Sequence, residues 1–320
     1  MSAFNLDKDK MVAAADTVHR VVGPSPQICW PLLASRVGTE VWVKHENHLP
    51  TGAFKVRGGI TYMANLRKSE PQVTGVVAAT RGNHGQSVAF AAAKQGLAAT
   101  ILVPVGNSKS KNAAMRALGA ELIEHGHDFQ ASYEFAKDLA RDRGLHMVGS
   151  FHVWLIEGVA TYGVELFTAC PDLETVYVPI GLGSGICSTI AARDMLGLKT
   201  KIVGVVSAHA AAYALSFKAG KPISTNSADT IADGMACRVP VDDAVARIDR
   251  GADRIVEVTD DEVRVAMRAY FDDTHNIAEG AGAAALAALL KEGAGKAGGK
   301  VGLVLSGGNV DAPLFREVLS

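Results

Sequence analysis

Three short stretches set chemistry-bearing side chains directly behind β-branched runs. Val76–Ala79 enters Thr80-Arg81-Gly82-Asn83-His84-Gly85, Val176–Ile180 enters Gly181-Leu182-Gly183-Ser184-Gly185, and Val301–Leu305 enters Ser306-Gly307-Gly308-Asn309. Glycines let backbone N–H groups converge, and a helix that starts there turns its positive end to the same spot. Gly181–Gly185 is therefore an anion cradle, and phosphate is its natural guest. A dinucleotide is disfavoured, because the sixth position of the loop is Ile186 and the acid expected about 20 residues on is missing from Val203–Ser207. A nicotinamide oxidoreductase is set aside on the same ground. No Gly-Lys-Ser/Thr follows the loop, which excludes a nucleotide Walker loop. A single phosphate on a smaller cofactor remains.

Lys55 is the second chemical feature. It lies in Lys44-His-Glu-Asn-His-Leu-Pro-Thr-Gly-Ala-Phe-Lys-Val-Arg-Gly-Gly59, where Pro50, Thr51 and Gly52 make a turn and Phe54-Lys55 starts a helix. A helix N-terminus disfavours a cation. The same field favours the neutral amine, which is the nucleophilic form. The competing reading is an ordinary solvent-exposed lysine.

Such loops need strands behind them. Strands are expected at Val41–Lys44, Gly75–Ala79, Thr100–Val103, Val176–Ile180, Ile202–Val206 and Val301–Leu305. Helical stretches alternate with them, among them Ser87–Lys94, Ala113–Leu118, Ala131–Arg141 and Thr189–Leu196. This alternation means βαβ units and a mostly parallel sheet. Ligands then bind at the carboxyl ends of the strands, where all three glycine turns fall. Thr259-Asp-Asp-Glu262 opens a further helix with a capping box, and Gly293–Lys300 is expected to be an exposed loop.

The chain has 320 residues, 48% hydrophobic, with 32 Lys plus Arg against 33 Asp plus Glu. That length suits one large core or two. The formal charge of -1 argues against nucleic-acid partners and offers no polybasic handle for membranes. The apolar run Ser87–Val105 is broken by Lys94 and Gln95, so no membrane span is expected. Cys29, Cys170, Cys187 and Cys237 form no C-x-x-C, which suits a reducing compartment without structural zinc. Charges in Met1–Lys10 are unlike a signal peptide, so a cytoplasmic location is expected.

Thr51-Gly-Ala-Phe-Lys-Val-Arg-Gly-Gly59 resembles the S-x-K-x-R-G lysine motif of threonine/serine dehydratases and serine racemases, the fold-type II pyridoxal 5'-phosphate (PLP) enzymes. Thr80–Gln86 resembles their S-S/A-G-N-H-x-Q loop, Gly181–Gly185 their phosphate loop, and Leu305–Val310 their S-G-G-N. Thr230-Ile-Ala-Asp-Gly234 and Ala278–Ala285 are smaller matches. The resemblance runs from about Val21 to Val310.

It implies an α/β fold with two open, twisted, mostly parallel sheets and flanking helices, similar to the tryptophan synthase β subunit. Residues 1–48 and 151–320 would form a large PLP-binding domain. Residues 49–150 would form a small mobile domain carrying the lysine and the carboxylate loop. Lys55 would hold PLP as a Schiff base and act as the base at the substrate Cα. Phe54 would pack near the ring, Asn83 would hydrogen-bond the ring hydroxyl, and Ser306 would meet the pyridine nitrogen. Gly181, Gly183, Ser184 and Gly185 would hold the phosphate. Thr80, Arg81, Gly82, Asn83 and His84 would line the substrate. The implied reaction is dehydration and deamination of a β-hydroxy amino acid to a 2-oxo acid and ammonia, carried out by a homodimer. A neutral Ser306 at the ring nitrogen makes a milder electron sink than an acid would, which favours prompt β-elimination.

Some residues depart from the family pattern. Arg81 stands where Ser or Ala is usual, which disfavours racemisation because Arg stays protonated. It would either bind a second substrate carboxylate or make an outward salt bridge. The family's acidic metal ligands are missing from Gly204–Ala212, so no metal is expected, and His209, His45/His48 and His125/His127 are read as non-ligands. Ser150-Phe-His-Val-Trp-Leu-Ile156 replaces a polar H-P-F-D-D-P. Trp154 would either favour a bulkier, aromatic β-substituent or pack between domains, and packing is preferred. The chain ends at Ser320, so the regulatory domain of biosynthetic threonine dehydratases, and its feedback inhibition, are not expected. A PLP-binding protein without turnover is the alternative to the ammonia-lyase.

Overall fold

Chain order decides which sheet each strand joins. The structure is a computed structural model and describes residues 6–320. The strands are β1 (Gln27–Cys29), β2 (Glu40–His45), β3 (Gly75–Ala79), β4 (Ala98–Val103), β5 (Glu121–Glu124), β6 (His146–Met147), β7 (Thr175–Pro179), β8 (Lys201–Ser207), β9 (Arg254–Val258) and β10 (Lys300–Leu305). One sheet runs β1-β2-β10-β7-β8-β9 and the other β5-β4-β3-β6. Every pairing is parallel except β1 with β2. The expected α/β class and mostly parallel sheets are therefore observed.

All six expected strands form, and their centres are buried on both faces, as the Val-rich runs demand. The four strands not foreseen are β1, β5, β6 and β9. β1, β5, β6 and β9 each end a sheet. Edge strands are short and carry charge, as Glu121-Leu-Ile-Glu124 does, so their sequence lacks the buried-strand signature.

The topology brings the site together. β10 lies between β2 and β7, so the segment after β2, the Ser306 turn and the Gly181 turn emerge side by side. The helix Lys55–Ser69 is seated by backbone contact. A Cβ on Gly58 would lie 2.7 Å from the Leu155 carbonyl oxygen, and one on Gly158 would lie 2.2 Å from that of Arg57. Arg57 anchors the same helix from a fully buried position. Its Nε donates to Glu46 at 2.7 Å and its Nη1 to Glu165 at 2.6 Å, while Lys44 Nζ donates to Glu165 at 2.6 Å. Burial opposes the guanidinium charge, but the two carboxylates outweigh it and raise its pKa.

The capping box at Thr259 and Glu262 forms as expected. Gly293–Lys300 is corrected. Ala294–Ala297 makes a helical turn, and Ala297 is buried in the core. Gly293 and Gly298 bracket the turn at φ 74° and 100°, so the glycines shape its ends while one alanine anchors it. Among the described residues no helix is long and apolar enough to cross a membrane.

Candidate active site

Lys55 is the first residue of its helix, and no side chain caps that helix start. Its Nζ donates to Ser184 Oγ at 2.9 Å and lies 4.9 Å from the centre of the Phe54 ring. Lys55 keeps a little accessible surface, but its amine is enclosed by protein, and that burial pushes its pKa down from 10.5 to about 8. Phe54 meets Tyr162 edge-on at 6.2 Å, and the Tyr162 hydroxyl donates to the Gly185 carbonyl at 2.9 Å. Two aromatic rings thus wall the amine beside the glycine loop.

Ser184 opens the helix Ser184–Met195, with Gly183 before it at φ 97° and no side-chain cap. The first-turn amides are left for an anion. Gly181 has no room for a side chain, because its Cβ would lie 2.2 Å from the Gly234 carbonyl oxygen. Tyr213 donates to the Leu182 carbonyl at 2.9 Å and fixes the loop from behind.

Asn83 opens the helix Asn83–Lys94, which also lacks a side-chain cap. Its Nδ2 donates to Glu279 Oε1 at 2.6 Å, and its Oδ1 accepts from Asn309 Nδ2 at 2.8 Å. Lys111 Nζ donates to Asp233 at 2.6 Å and to Glu279 Oε2 at 3.3 Å. Burial raises the pKa of the Glu279 carboxyl, against the opposing pull of Lys111. Burial works against the Lys111 charge, but Glu279 and Asp233 prevail and raise its pKa. The Lys111 stem lies against Gly82, where a Cβ would be 2.4 Å from its Cδ.

The remaining candidates fall around these. Ser306 is buried. Thr80 Oγ1 accepts from the Gly82 and Gly85 amides, so it shapes its own loop. His84 is buried with Nε2 unpartnered, and burial first, then the Lys55 charge, pushes its pKa down to about 3. Its imidazole is neutral. Arg81 is exposed, without an ion-pair partner among the described residues, so the outward salt bridge does not form. His209 is exposed. Trp154 is half-buried and packs edge-on against Tyr62 at 5.4 Å and His152 at 4.9 Å, against the core of the four-stranded sheet. In that segment it is Phe151 that lies by the glycine loop, 3.7 Å from where a Gly183 Cβ would be.

Residues 18–307 match the family model of the pyridoxal-phosphate dependent enzymes. The chain belongs to that family. The L-threonine ammonia-lyase of Thermotoga maritima is 33% identical over 308 residues, covering 96% of this chain and 76% of its own. A putative threonine dehydratase of Sinorhizobium fredii is 32% identical over 330 residues, covering 99% and 96%. Among solved structures, the processed threonine deaminase isoform 2 of Solanum lycopersicum superposes with a TM-score of 0.89 at 29% identity, over 98% of this chain and 94% of that one. Maize serine racemase gives 0.91 at 27% identity, over 98% and 97%.

A pyridoxal-phosphate dependent enzyme needs an amine, a phosphate cradle and polar contacts to the ring. The residues present fit those needs. Lys55 is a buried amine beside the uncapped helix start at Ser184, and Ser306 is a buried hydroxyl on the turn that joins the lysine segment. Sequence reasoning gave no role to Tyr162, Lys111, Asp233, Glu279 or Asn309. Asp233, Glu279 and Asn309 sit inside motifs that match the family, which was an available signal. Lys111 has none, because Ser108-Lys-Ser-Lys111 reads as a surface run.

Proposed function

We propose that this chain is an ammonia-lyase of the threonine/serine dehydratase type, converting a β-hydroxy amino acid to a 2-oxo acid and ammonia. Bound pyridoxal phosphate supplies the electron sink that acidifies the substrate Cα–H. Lys55 is the residue that carries the cofactor and takes the Cα proton on Nζ, and the observation that carries the reading is its enclosed amine, 2.9 Å from Ser184 Oγ at the uncapped helix start of the glycine loop. Ser184 Oγ orients that amine. The amides of Gly181, Gly183, Ser184 and Gly185 would hold the phosphate, and Phe54, Asn83 and Ser306 would hold the ring, Asn83 at the ring oxygen and Ser306 at the ring nitrogen. The helix start at Thr80, Gly82, Asn83 and His84 receives the substrate carboxylate.

Loss of the Cα proton and the β-hydroxide leaves an aminoacrylate. It takes up a proton to become an imine, and water then releases ammonia and the 2-oxo acid. The exposed Arg81 guanidinium extends the substrate range to an acidic β-substituent. Segment 49–150 moves against 1–48 and 151–320 as substrate enters. The same reading includes a cytoplasmic homodimer, which sedimentation tests for assembly.

The experiment is a screen of threonine, serine, β-hydroxyaspartate and β-phenylserine for 2-oxo acid release, with borohydride trapping of the cofactor on Lys55. Release that disappears in Lys55→Ala supports the lyase. Bound cofactor with no release from any of the four substrates would instead leave a PLP-binding protein without turnover.

A further inference from the structure

The turn after β10 touches the lysine segment, the Glu279 segment and the Asn83 helix start. Phe54 N donates to the Ser306 carbonyl at 3.0 Å, Glu279 N to that of Gly307 at 3.1 Å, and Gly308 N to that of Gly52 at 2.9 Å. Asn309 Nδ2 donates to the Thr51 carbonyl and to Asn83 Oδ1, both at 2.8 Å. Gly52, at φ 66°, would put a Cβ 2.4 Å from Asn309 Oδ1, so only glycine suits that position.

These contacts fix which way two amides point. A carbonyl oxygen only accepts, so the nitrogen of Asn309 faces Thr51 and has one proton left for Asn83. Asn83 must then present its oxygen to Asn309 and its nitrogen to the other side. There Glu279 Oε1 accepts at 2.6 Å. Flipping Asn83 would set its oxygen against the Glu279 carboxylate and its nitrogen against the Asn309 nitrogen. Both contacts would be repulsive. Of the two Nδ2 protons of Asn83, one serves Glu279 and one is uncommitted.

We propose that Asn309 is a positioning residue that locks the Asn83 amide so that its single uncommitted N–H is a donor to the cofactor ring oxygen. This rests on the assignment of Asn83 to the ring. Asn309 itself acts through Asn83, and its oxygen is packed over Gly52.

The test measures PLP affinity of apoprotein by absorbance titration, together with the pH at which the band of the bound cofactor titrates. Wild type is compared with Asn309→Asp, Asn309→Ala, Asn83→Ala and the Asn83→Ala/Asn309→Ala pair, with thermal melts of each apoprotein. Asn309→Asp keeps the shape but turns the donor into an acceptor, and about a tenfold weaker affinity with a displaced band titration is expected. Asn309→Ala should weaken affinity alone but add less than twofold in the Asn83→Ala background, because it acts through the missing amide. Wild-type affinity and band in Asn309→Asp would overturn the proposal. So would a loss from Asn309→Ala that persists undiminished without Asn83, and this cycle decides the matter if Asn309→Asp fails to fold. Failure of the lyase reading shows differently, as absent 2-oxo acid with these affinities intact.

Discussion

If Lys55 carries the cofactor as proposed, its amine sets how fast the apoprotein can capture it. Only the neutral amine attacks an aldehyde. Burial lowers its pKa from 10.5 to about 8. At pH 7 a tenth of such amines are neutral, against about one in three thousand for an unperturbed lysine, so the reactive fraction is about 300-fold larger. The perturbation is pH itself. Below the pKa, each pH unit upward multiplies the neutral fraction tenfold, and above it the fraction saturates. Capture should therefore rise with pH and level off a little above pH 8. Stopped-flow mixing of apoprotein with PLP across pH 6.5–9.5 measures this (a pH range of about three units centred on the expected inflection). Borohydride reduction and peptide mass assign the product to Lys55, and the same series with free N-acetyl-lysine corrects for ionisation of the aldehyde reagent. A corrected rate that climbs tenfold per unit through the whole range, with no plateau, would refute the burial argument. Ser184→Ala is an informative companion. Ser184 accepts from Lys55 Nζ at 2.9 Å, so its loss should leave the plateau in place but weaken cofactor retention several-fold.

Three further outcomes follow from the packing. Arg57→Met leaves Glu46 buried without its ion-pair partner and takes one of the cations from Glu165, which keeps Lys44, and should cost about 3–5 kcal/mol in urea unfolding; a loss under 1 kcal/mol would show that Glu46 finds another partner. Gly181→Ala pushes a methyl to 2.2 Å from the Gly234 carbonyl oxygen, and a destabilisation of about 1–3 kcal/mol is expected in thermal melts, with weaker PLP binding because the cradle shifts. Burial pushes the Cys187 and Cys237 thiols up to about 12, so both should resist iodoacetamide at pH 8 in the native protein and label only on unfolding, as read by intact mass; native labelling within minutes would contradict their burial.

What could be read from the residues alone was whatever the backbone dictates locally. Gly181–Gly185 is legible because close approach and a φ of 97° at Gly183 admit glycine, and because a helix must begin there. Lys55 is an odd charge at a helix start, but position alone leaves an exposed lysine open, and only the resemblance of its motif singles it out. The central strands are legible because burial on both faces demands unbroken Val, Ile and Ala. β5 and β9 escape that logic, since solvent lies along one edge and charged residues are tolerated. Trp154 shows the same limit from the apolar side. Its size announces burial, but only the fold says that it meets Tyr62 and His152 while Phe151 takes the place beside the glycine loop.

The residues that stayed hidden share one physical property: each works through a side chain paired with a distant segment. Lys111 reaches Asp233 and Glu279, and Asn83 is held between Glu279 and Asn309. No local pattern records such a partner, because a lysine in a Ser-Lys run looks alike whether it faces water or a buried carboxylate. Their energetic weight is nonetheless large, since a buried charge or amide left unpaired costs more than its pairing gains. The consequence for the site is a division of labour. Backbone amides at uncapped helix starts make the places where anions sit, and they are written in glycine. Side-chain pairs then decide which way the donors between those places point. The first layer offers donors that, on the proposed reading, take a phosphate and a carboxylate. The second, through Asn309 and Glu279, gives the Asn83 amide a single direction.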